Sequence, residues 1–242
     1  MNIALLGYGR MGGSIAQLID QQGEDEVVLK IHKDNKDELT VENLQKADIA
    51  IEFSTPDTAV KHIEKCFEAD IPVVVGTTGW LDDFERIKKY CLENDKTLFY
   101  ASNFSIGVNI FFEVNRQLAK LMNGQEQYEP DIEEIHHTEK LDSPSGTAIT
   151  LAEGILSNLK RKSKWENNPK DEKEYVLPII SRREPDVPGT HIIHYESDID
   201  YITISHEAKS RRGFVQGAVM AAKWVHNKKE KGYFEMKDLL KF

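Results

Sequence analysis

Residues 134–148 read Glu134-Ile135-His136-His137-Thr138-Glu139-Lys140-Leu141-Asp142-Ser143-Pro144-Ser145-Gly146-Thr147-Ala148. Imidazoles such as His136 and His137 transfer protons near neutral pH. Lys140 is a point cation for a carboxylate or phosphate. Ser145, Gly146 and Thr147 make a small-residue turn whose backbone N–H groups are suited to hold an anion where a helix begins. Together these residues describe a site that binds an acidic small molecule and gives it a proton. On an extended backbone neighbouring side chains point to opposite faces, so the two histidines must divide the work. One does chemistry, while the other binds ligand or is simply a satisfied polar residue. Asp142 admits a plain salt bridge with Lys140.

A second group stands at the N-terminus. Gly7-Tyr8-Gly9-Arg10-Met11-Gly12 matches G-x-G-x-x-G, follows an apolar run at 2–6 and opens a helical pattern. That is the setting the dinucleotide fingerprint requires: Gly7 for a tight turn, Gly9 for close approach of pyrophosphate, Gly12 for close packing of the helix. A purely structural turn is the alternative. The second strand ends Leu29-Lys30-Ile31-His32-Lys33, without the acid that would bind a ribose 2′-hydroxyl and repel a 2′-phosphate. Lys33, with Arg10 in the loop, favours NADPH, with NADH as the alternative. Lys33 reads equally well as a solvated surface lysine.

The elements that must position these groups follow from the pattern. Short apolar runs at 2–6, 27–31, 47–53, 71–75 and 97–100 alternate with amphipathic helices, including one begun by Thr55 and Pro56 and one at about 82–94. This predicts a parallel sheet covered on both faces. After Asn103 the pattern changes to helices at 106–122, 147–159 and 213–225, a strand at 131–135, and antiparallel strands at 191–195 and 201–205. The charged stretch 160–175 reads as a mobile surface loop. The fold class is α/β: a Rossmann-like first half followed by an α+β unit with a mixed sheet.

Composition narrows the partners. The 242 residues carry a formal net charge of -10, which argues against nucleic acid or an anionic membrane as partner. An anionic ligand therefore needs a local basic pocket, which His136, His137 and Lys140 supply. Cys66 and Cys91 have the spacing of neither a metal site nor a redox pair, so reduced core thiols and no metal are expected. No signal core and no apolar run of spanning length is read, and the expectation is a soluble, cytoplasmic protein.

These strings resemble the dihydrodipicolinate (4-hydroxy-tetrahydrodipicolinate) reductase family of the diaminopimelate route to lysine. The resemblance runs through Gly7–Gly12, Phe53-Ser54-Thr55-Pro56, Gly76-Thr77-Thr78-Gly79 and 101–108. It continues through 134–148, Val187-Pro188-Gly189-Thr190, 204–208 and 217–222. It implies a dinucleotide-binding domain of residues 1–104 and 212–242, a substrate-binding and oligomerisation domain of 105–211, and an active site in the cleft between them. His136 and Lys140 match the family's catalytic residues, and His137, Gly146 and Thr147 its substrate contacts, with Ser145 in the same turn. Gly76, Thr77 and Thr78 match residues lining the nicotinamide side, although either threonine also suits a helix cap. Ala101, Ser102, Asn103 and Phe104 match cofactor contacts near the hinge, and Arg211 and Phe214 match contacts at the return to the first domain. Tyr8 and Met11 lie within the loop.

The implied reaction is NAD(P)H-dependent reduction of (2S,4S)-4-hydroxy-2,3,4,5-tetrahydrodipicolinate, a small dicarboxylate, with loss of water. The family's sheets build a homotetramer. Segment 187–206 is short beside many relatives, without an extra strand and a Gly-Glu-His string, so a dimer stands as the alternative assembly. A non-catalytic NADPH-binding sensor and another small-acid dehydrogenase on the same fold are the competing functions. Substituting Lys33→Glu should raise the Kd for NADPH more than that for NADH in a fluorescence titration. An unchanged ratio would make Lys33 a surface residue only.

Overall fold

The structure is a computed structural model and describes residues 1–171 and 173–242. From the N-terminus run β1 (Asn2–Leu6), α1 (Arg10–Gln22), β2 (Glu26–Ile31), α2 (Val41–Leu44), β3 (Ile49–Glu52), α3 (Pro56–Glu68), β4 (Val73–Val75), α4 (Phe84–Glu93) and β5 (Thr97–Tyr100). Next come α5 (Ile106–Met122), β6 (Glu129–His136), α6 (Gly146–Leu156), β7 (Lys164–Asn167), β8 (Val176–Arg183), β9 (Thr190–Glu196) and β10 (Tyr201–Glu207). The chain closes with α7 (Arg212–His226), β11 (Gly232–Phe234) and α8 (Met236–Leu240). It forms two compact units, Met1–Ser105 with Arg212–Phe242, and Ile106–Arg211.

The first unit holds a sheet in the order β11-β5-β4-β3-β1-β2, every pair parallel. Its central strands β3 and β4 are buried along their whole length because both faces are covered. The pleat sends Ala4 and Leu6 toward a cluster that holds Ala59, Ile63 and Phe67 of α3. Ile3 and Leu5 go to the other cluster, with Ile15 and Ile19 of α1 and Ala218 and Ala222 of α7. The order of the strands reverses at β1, so the chain leaves β1 and β3 in opposite directions. A crevice at their carboxyl ends is where such sheets bind ligands. The α/β class expected from the alternation is present. Strand β11, which extends the sheet by pairing with β5, was not anticipated: its three residues Gly232, Tyr233 and Phe234 are too short a run to show a period.

The second unit holds a mixed sheet in the order β10-β9-β6-β8-β7. Central β6 pairs parallel with β8 and antiparallel with β9. Helices α5 and α6 cover one face, packing Phe111, Phe112, Leu151 and Ile155 in one cluster with Ile132, Ile179 and Ile193. Along β6, Pro130, Ile132, Glu134 and His136 are buried while Asp131, Glu133 and Ile135 are half-buried. Period two therefore puts Glu134 and His136 on the same side as Ile132, the helix-covered side.

Stretch 160–175 is not the mobile loop expected of its charge. It contains β7, paired with β8, and Lys162, only 5% exposed, which donates to the Glu174 carbonyl at 2.6 Å. Charged side chains here pair with one another and leave their stems packed, a pattern that composition hides. Glu172, within that stretch, lies outside the described residues. Strand β8 also went unread, because Pro178 and the Ser181-Arg182-Arg183 end interrupt its apolar run. Among the described residues no helix is long and apolar enough to cross a membrane.

Helix α7 lies hard against the β5–α5 connection: a Cβ built on Gly217 falls 1.8 Å from the Phe104 carbonyl oxygen. Gly217→Ala should therefore cost about 1–3 kcal/mol in urea denaturation, the usual range for overpacking. Gly213→Ala, whose Cβ would sit 3.5 Å from the Ser105 hydroxyl, should cost little.

Candidate active site

In the first unit the glycine loop folds for steric reasons. Gly7 has φ +93°, and a Cβ there would lie 2.2 Å from the Phe53 carbonyl oxygen. The Gly7 and Tyr8 amides donate to the Ile31 carbonyl at 2.9 and 2.8 Å, tying the loop to β2. A Cβ on Gly12 would meet the Gly7 carbonyl at 2.4 Å, so Gly12 lets α1 close onto the loop itself. A Cβ on Gly9 would meet nothing within 4 Å; it borders open space, as backbone approached by a phosphate must.

Gly7, Tyr8, Gly9 and Lys33 line one cleft of about 580 Å³, together with His32 and Lys36. That volume lies within the usual range for a small-ligand site. Asp34 shares the rim and sits 3.4 Å from His32. The cleft floor is a polar cluster built at the end of β3. Glu52, fully buried, accepts from the Ser54 amide at 3.1 Å and from the Ser54 hydroxyl, and meets His62 Nδ1 at 3.2 Å. The Ser54 amide also donates to Thr77 Oγ1 at 2.7 Å, locking the β3–α3 turn to the β4 turn.

Gly76, Thr77 and Thr78 follow β4, at the carboxyl edge of the same sheet. Neither threonine caps α4, which begins at Phe84. Thr77 is buried and Thr78 exposed. Ala101 and Phe104 are core residues, 8% and 2% exposed, and Phe104 packs against Phe53 and Phe99. Any ligand contact there falls to backbone, to exposed Ser102 or to Asn103, whose Oδ1 accepts from the Ser105 amide at 2.9 Å. Met11 packs on the core, exposed Arg10 is the first residue of α1, and half-buried Phe214 lies on α7.

The second unit brings the 134–148 residues together with partners from other strands. His136 is the last residue of β6 and is buried. Its Nδ1 contacts the Glu134 carboxylate, and its ring meets that of His191 edge-on at 5.1 Å. Register explains the meeting: Glu134 lies opposite His191 on β9, and His136 opposite Arg183 on β8. Arg183 Nη1 donates to Glu134 Oε1 at 2.9 Å. Burial alone would raise the Glu134 carboxyl; donors from His136, Ser181 and Arg183 outweigh it and hold it at about 2. Burial, reinforced by the charge of His136, pushes His191 down to about 3.

His191 Nε2 lies 3.0 Å from the Ser145 hydroxyl, which also caps α6 by accepting from the Ala148 amide at 3.1 Å. Gly146 and Thr147 open that helix. His137, past the strand end, is half-buried and sits 3.5 Å from Arg211 Nη2. Lys140 Nζ donates to both oxygens of Asp142 at 2.8 and 2.9 Å, the salt bridge its spacing allowed. Glu134, His136 and His191 each offer one metal-ligating atom within 4.8 Å of the others. Arg183 already takes Glu134 Oε1 and Ser145 takes His191 Nε2. Glu134 Oε2 and His136 Nδ1 meet in a close contact, and His191 Nδ1 has no hydrogen-bond partner among the described residues.

Three participants escaped the sequence reading. Glu134 carried a usable signal, two residues before His136 and so on the same face of a strand. Arg183 and His191 carried none, being brought in only by strand pairing. Gly189-Thr190-His191 shares the first and third residues of the Gly-Glu-His string looked for in this segment.

A doubly covered parallel sheet with a glycine loop, and a separate mixed sheet carrying a buried acid–histidine pair, define a two-unit dinucleotide-binding oxidoreductase. Residues 1–104 match the family described as dihydrodipicolinate reductase, N-terminus, and residues 107–240 the family described as its C-terminus. The 4-hydroxy-tetrahydrodipicolinate reductase of Christiangramia forsetii is 51% identical, over 99% of this chain and 98% of its own length. That of Neisseria meningitidis serogroup B is 34% identical, over 81% of this chain and 74% of its own. A dipicolinate-bound dihydrodipicolinate reductase from Paenisporosarcina sp. TG-14 shares the fold, with TM-score 0.74, 24% identity and 97% of each chain covered. The chain belongs to the dihydrodipicolinate reductase family.

Two of the buried groups of the second unit, His191 and Glu134, contribute to its response to acid. His191 takes a proton near 6.5 when unfolded but only near 3 when folded. The unfolded state thus binds more protons between those values, and stability falls as pH drops from about 6.5. Glu134, lowered from 4.5 to about 2, contributes stability above 4.5 that is lost as pH falls toward 2. Thermal scans should show Tm declining from pH 6.5 downward, and His191→Gln should flatten the upper part of the decline.

Proposed function

We propose that this protein is a 4-hydroxy-tetrahydrodipicolinate reductase, an oxidoreductase of lysine biosynthesis that reduces (2S,4S)-4-hydroxy-2,3,4,5-tetrahydrodipicolinate to (S)-2,3,4,5-tetrahydrodipicolinate with release of water. The observation that carries the reading is the full-length similarity to a 4-hydroxy-tetrahydrodipicolinate reductase, 51% over 99% of the chain. Beside it stands the set of proton-transferring and cationic groups on the second unit. The first unit fits a nicotinamide dinucleotide: Gly9 borders open space at the loop, and the cleft beside it bears Lys33, Lys36 and His32. The two lysines support NADPH over NADH, since a 2′-phosphate needs positive partners. When bound, the dinucleotide supplies a hydride.

The residues of the second unit then have definite tasks. The substrate carries two carboxylates. Lys140, His137 and the first turn of α6 at Gly146 and Thr147 are the groups suited to hold them, and charge-assisted hydrogen bonds of this kind contribute roughly 1.5–3 kcal/mol each. Lys140 exchanges Asp142 for a substrate carboxylate, an ion-for-ion swap. Loss of the 4-hydroxyl as water leaves a conjugated cyclic imine, and hydride addition leaves negative charge spread toward the ring nitrogen. His136 supplies the proton that completes the product, a task worth about 10²–10⁴-fold in rate. The exposed edge strand β10, with Tyr201 73% exposed, supports self-association through this unit, as a homotetramer with a dimer as the alternative. The buried free thiols of Cys66 and Cys91 suit a reducing cytoplasm.

The test is a coupled assay in which aspartate semialdehyde, pyruvate and the preceding synthase generate the substrate and NADPH absorbance is followed. Oxidation dependent on all components is expected. Binding of NADPH without turnover would instead mark a sensor. Lys140→Ala should lower turnover on the order of a hundredfold, equivalent to about 3 kcal/mol of transition-state interaction, with NADPH affinity nearly unchanged.

A further inference from the structure

Glu134 is an ionisable group that the proposed reaction does not use, buried beyond reach of solvent at 0% exposure. A carboxylate in that position is costly unless paired, yet an apolar residue here would continue the Pro130–Ile132 face of β6 without that cost. Its two oxygens are divided between two partners. Oε1 accepts from Arg183 at 2.9 Å, and Oε2 contacts His136 Nδ1. Arg183 is itself held by donating to the Asp142 carbonyl at 2.7 Å. The other ring nitrogen of His136 faces Gly189: a Cβ there would stand 3.0 Å from Nε2. Gly189 has φ +153°, so both backbone and space disfavour a side chain on the Nε2 side.

We propose that Glu134 is a positioning residue for His136, keeping a proton on Nδ1 so that Nε2 is the nitrogen that exchanges protons with the substrate. This rests on the reading of His136 as proton donor. An ionised carboxylate accepts hydrogen bonds and donates none, so the neutral imidazole beside it carries its hydrogen on Nδ1 and its lone pair on Nε2. Protonation then occurs at Nε2, and the carboxylate stabilises the imidazolium that forms. In the reaction the Nε2–H bond breaks and the proton joins the ring atom left negative by hydride addition. The imidazole ends neutral, its remaining hydrogen still on Nδ1 against Glu134, and solvent reprotonates Nε2 before the next turnover.

The surroundings are consistent with one imidazolium at this place. Glu134 faces His136 from its own strand, Arg183 from β8 and His191 from β9, with the Lys140–Asp142 pair in the loop that follows. His206 on β10 faces His191 in turn. Arg183 is turned onto Glu134 and the Asp142 carbonyl. His191, bonded to Ser145, stays neutral through the working range and adds no repulsion.

The experiment compares the full-length enzyme with Glu134→Gln, Glu134→Asp and His136→Asn. Glu134→Gln should lower kcat on the order of a hundredfold with KM for both substrates within about threefold. It should also move the His136-dependent limb of the pH–rate profile to lower pH, because the charged partner of the imidazolium is gone. Glu134→Asp, which keeps the charge, should recover part of both effects. A loss of kcat with an unmoved profile, or KM rising in step, would make Glu134 merely structural and overturn the proposal. In the unsubstituted protein, ¹⁵N shifts of the His136 ring report the tautomer with no variant required. Hydrogen on Nδ1 at neutral pH is expected, and hydrogen on Nε2 overturns the inference. Full activity in His136→Asn would instead remove the proton-donor reading itself. An inactive His136→Asn beside an unaffected Glu134→Gln would reject only the role given to Glu134.

Discussion

A carboxylate sealed inside a sheet must find its partners inside the sheet. Glu134 cannot turn toward water, because β6 is central and the face it points to is covered by α5 and α6. The strands flanking β6 therefore have to bring polar side chains to one level, and the cation comes from β8. Strand β8, parallel, brings Ser181 and Arg183; strand β9, antiparallel, brings His191. A slip of one residue in the β6–β8 pairing would send Ser181 and Arg183 to the opposite face and leave the buried carboxylate without its cation, at a cost of several kcal/mol. The mixed character of this sheet follows from that demand as much as from apolar packing. It also explains why a segment as polar as Ser181-Arg182-Arg183 ends a strand.

The first unit meets the same constraint in a different manner. Glu52, also fully buried at a strand end, is met locally at Oε1 by Ser54 and by His62 of the following helix, while its Oε2 has no hydrogen-bond partner among the described residues. The result is rigidity where it matters for a ligand. The turn after β3 is pinned to Glu52 and Thr77, and that turn is the wall against which Gly7 makes its closest approach. The glycine loop is thus held from below by a polar cluster and from the side by β2. Of the candidate site residues, His136 ends β6 and Gly146 and Thr147 start α6, while Lys33 follows β2 and His137 and Lys140 lie in the connection between β6 and α6.

Much of this was legible in the sequence. Apolar runs alternating with amphipathic segments are the signature of a covered parallel sheet, and G-x-G-x-x-G between a strand and a helix is specific in that context. The 134–148 string suggested a polar site through residue types alone, and the structure gathers His136 and Ser145 of that string around His191. Legibility failed where charge and burial part company. Stretch 160–175 looked solvated because it is charged, yet Lys162 is buried through a contact to a carbonyl 12 residues ahead. Strands β8 and β11 were missed because one is broken by proline and arginine and the other is three residues long.

What the sequence by itself determined is everything that depends on neighbours along the chain: the glycine loop and its strand, the cap at Ser145, the pairing of Lys140 with Asp142, and the placing of Glu134 and His136 on one face. What only the tertiary structure decided is which groups meet from afar. Arg183 lies 49 residues from Glu134, and Ser145 46 from His191, and no local period encodes such contacts. Strand register sets them, and register is chosen by the whole sheet at once, since each strand must satisfy two neighbours and a core together.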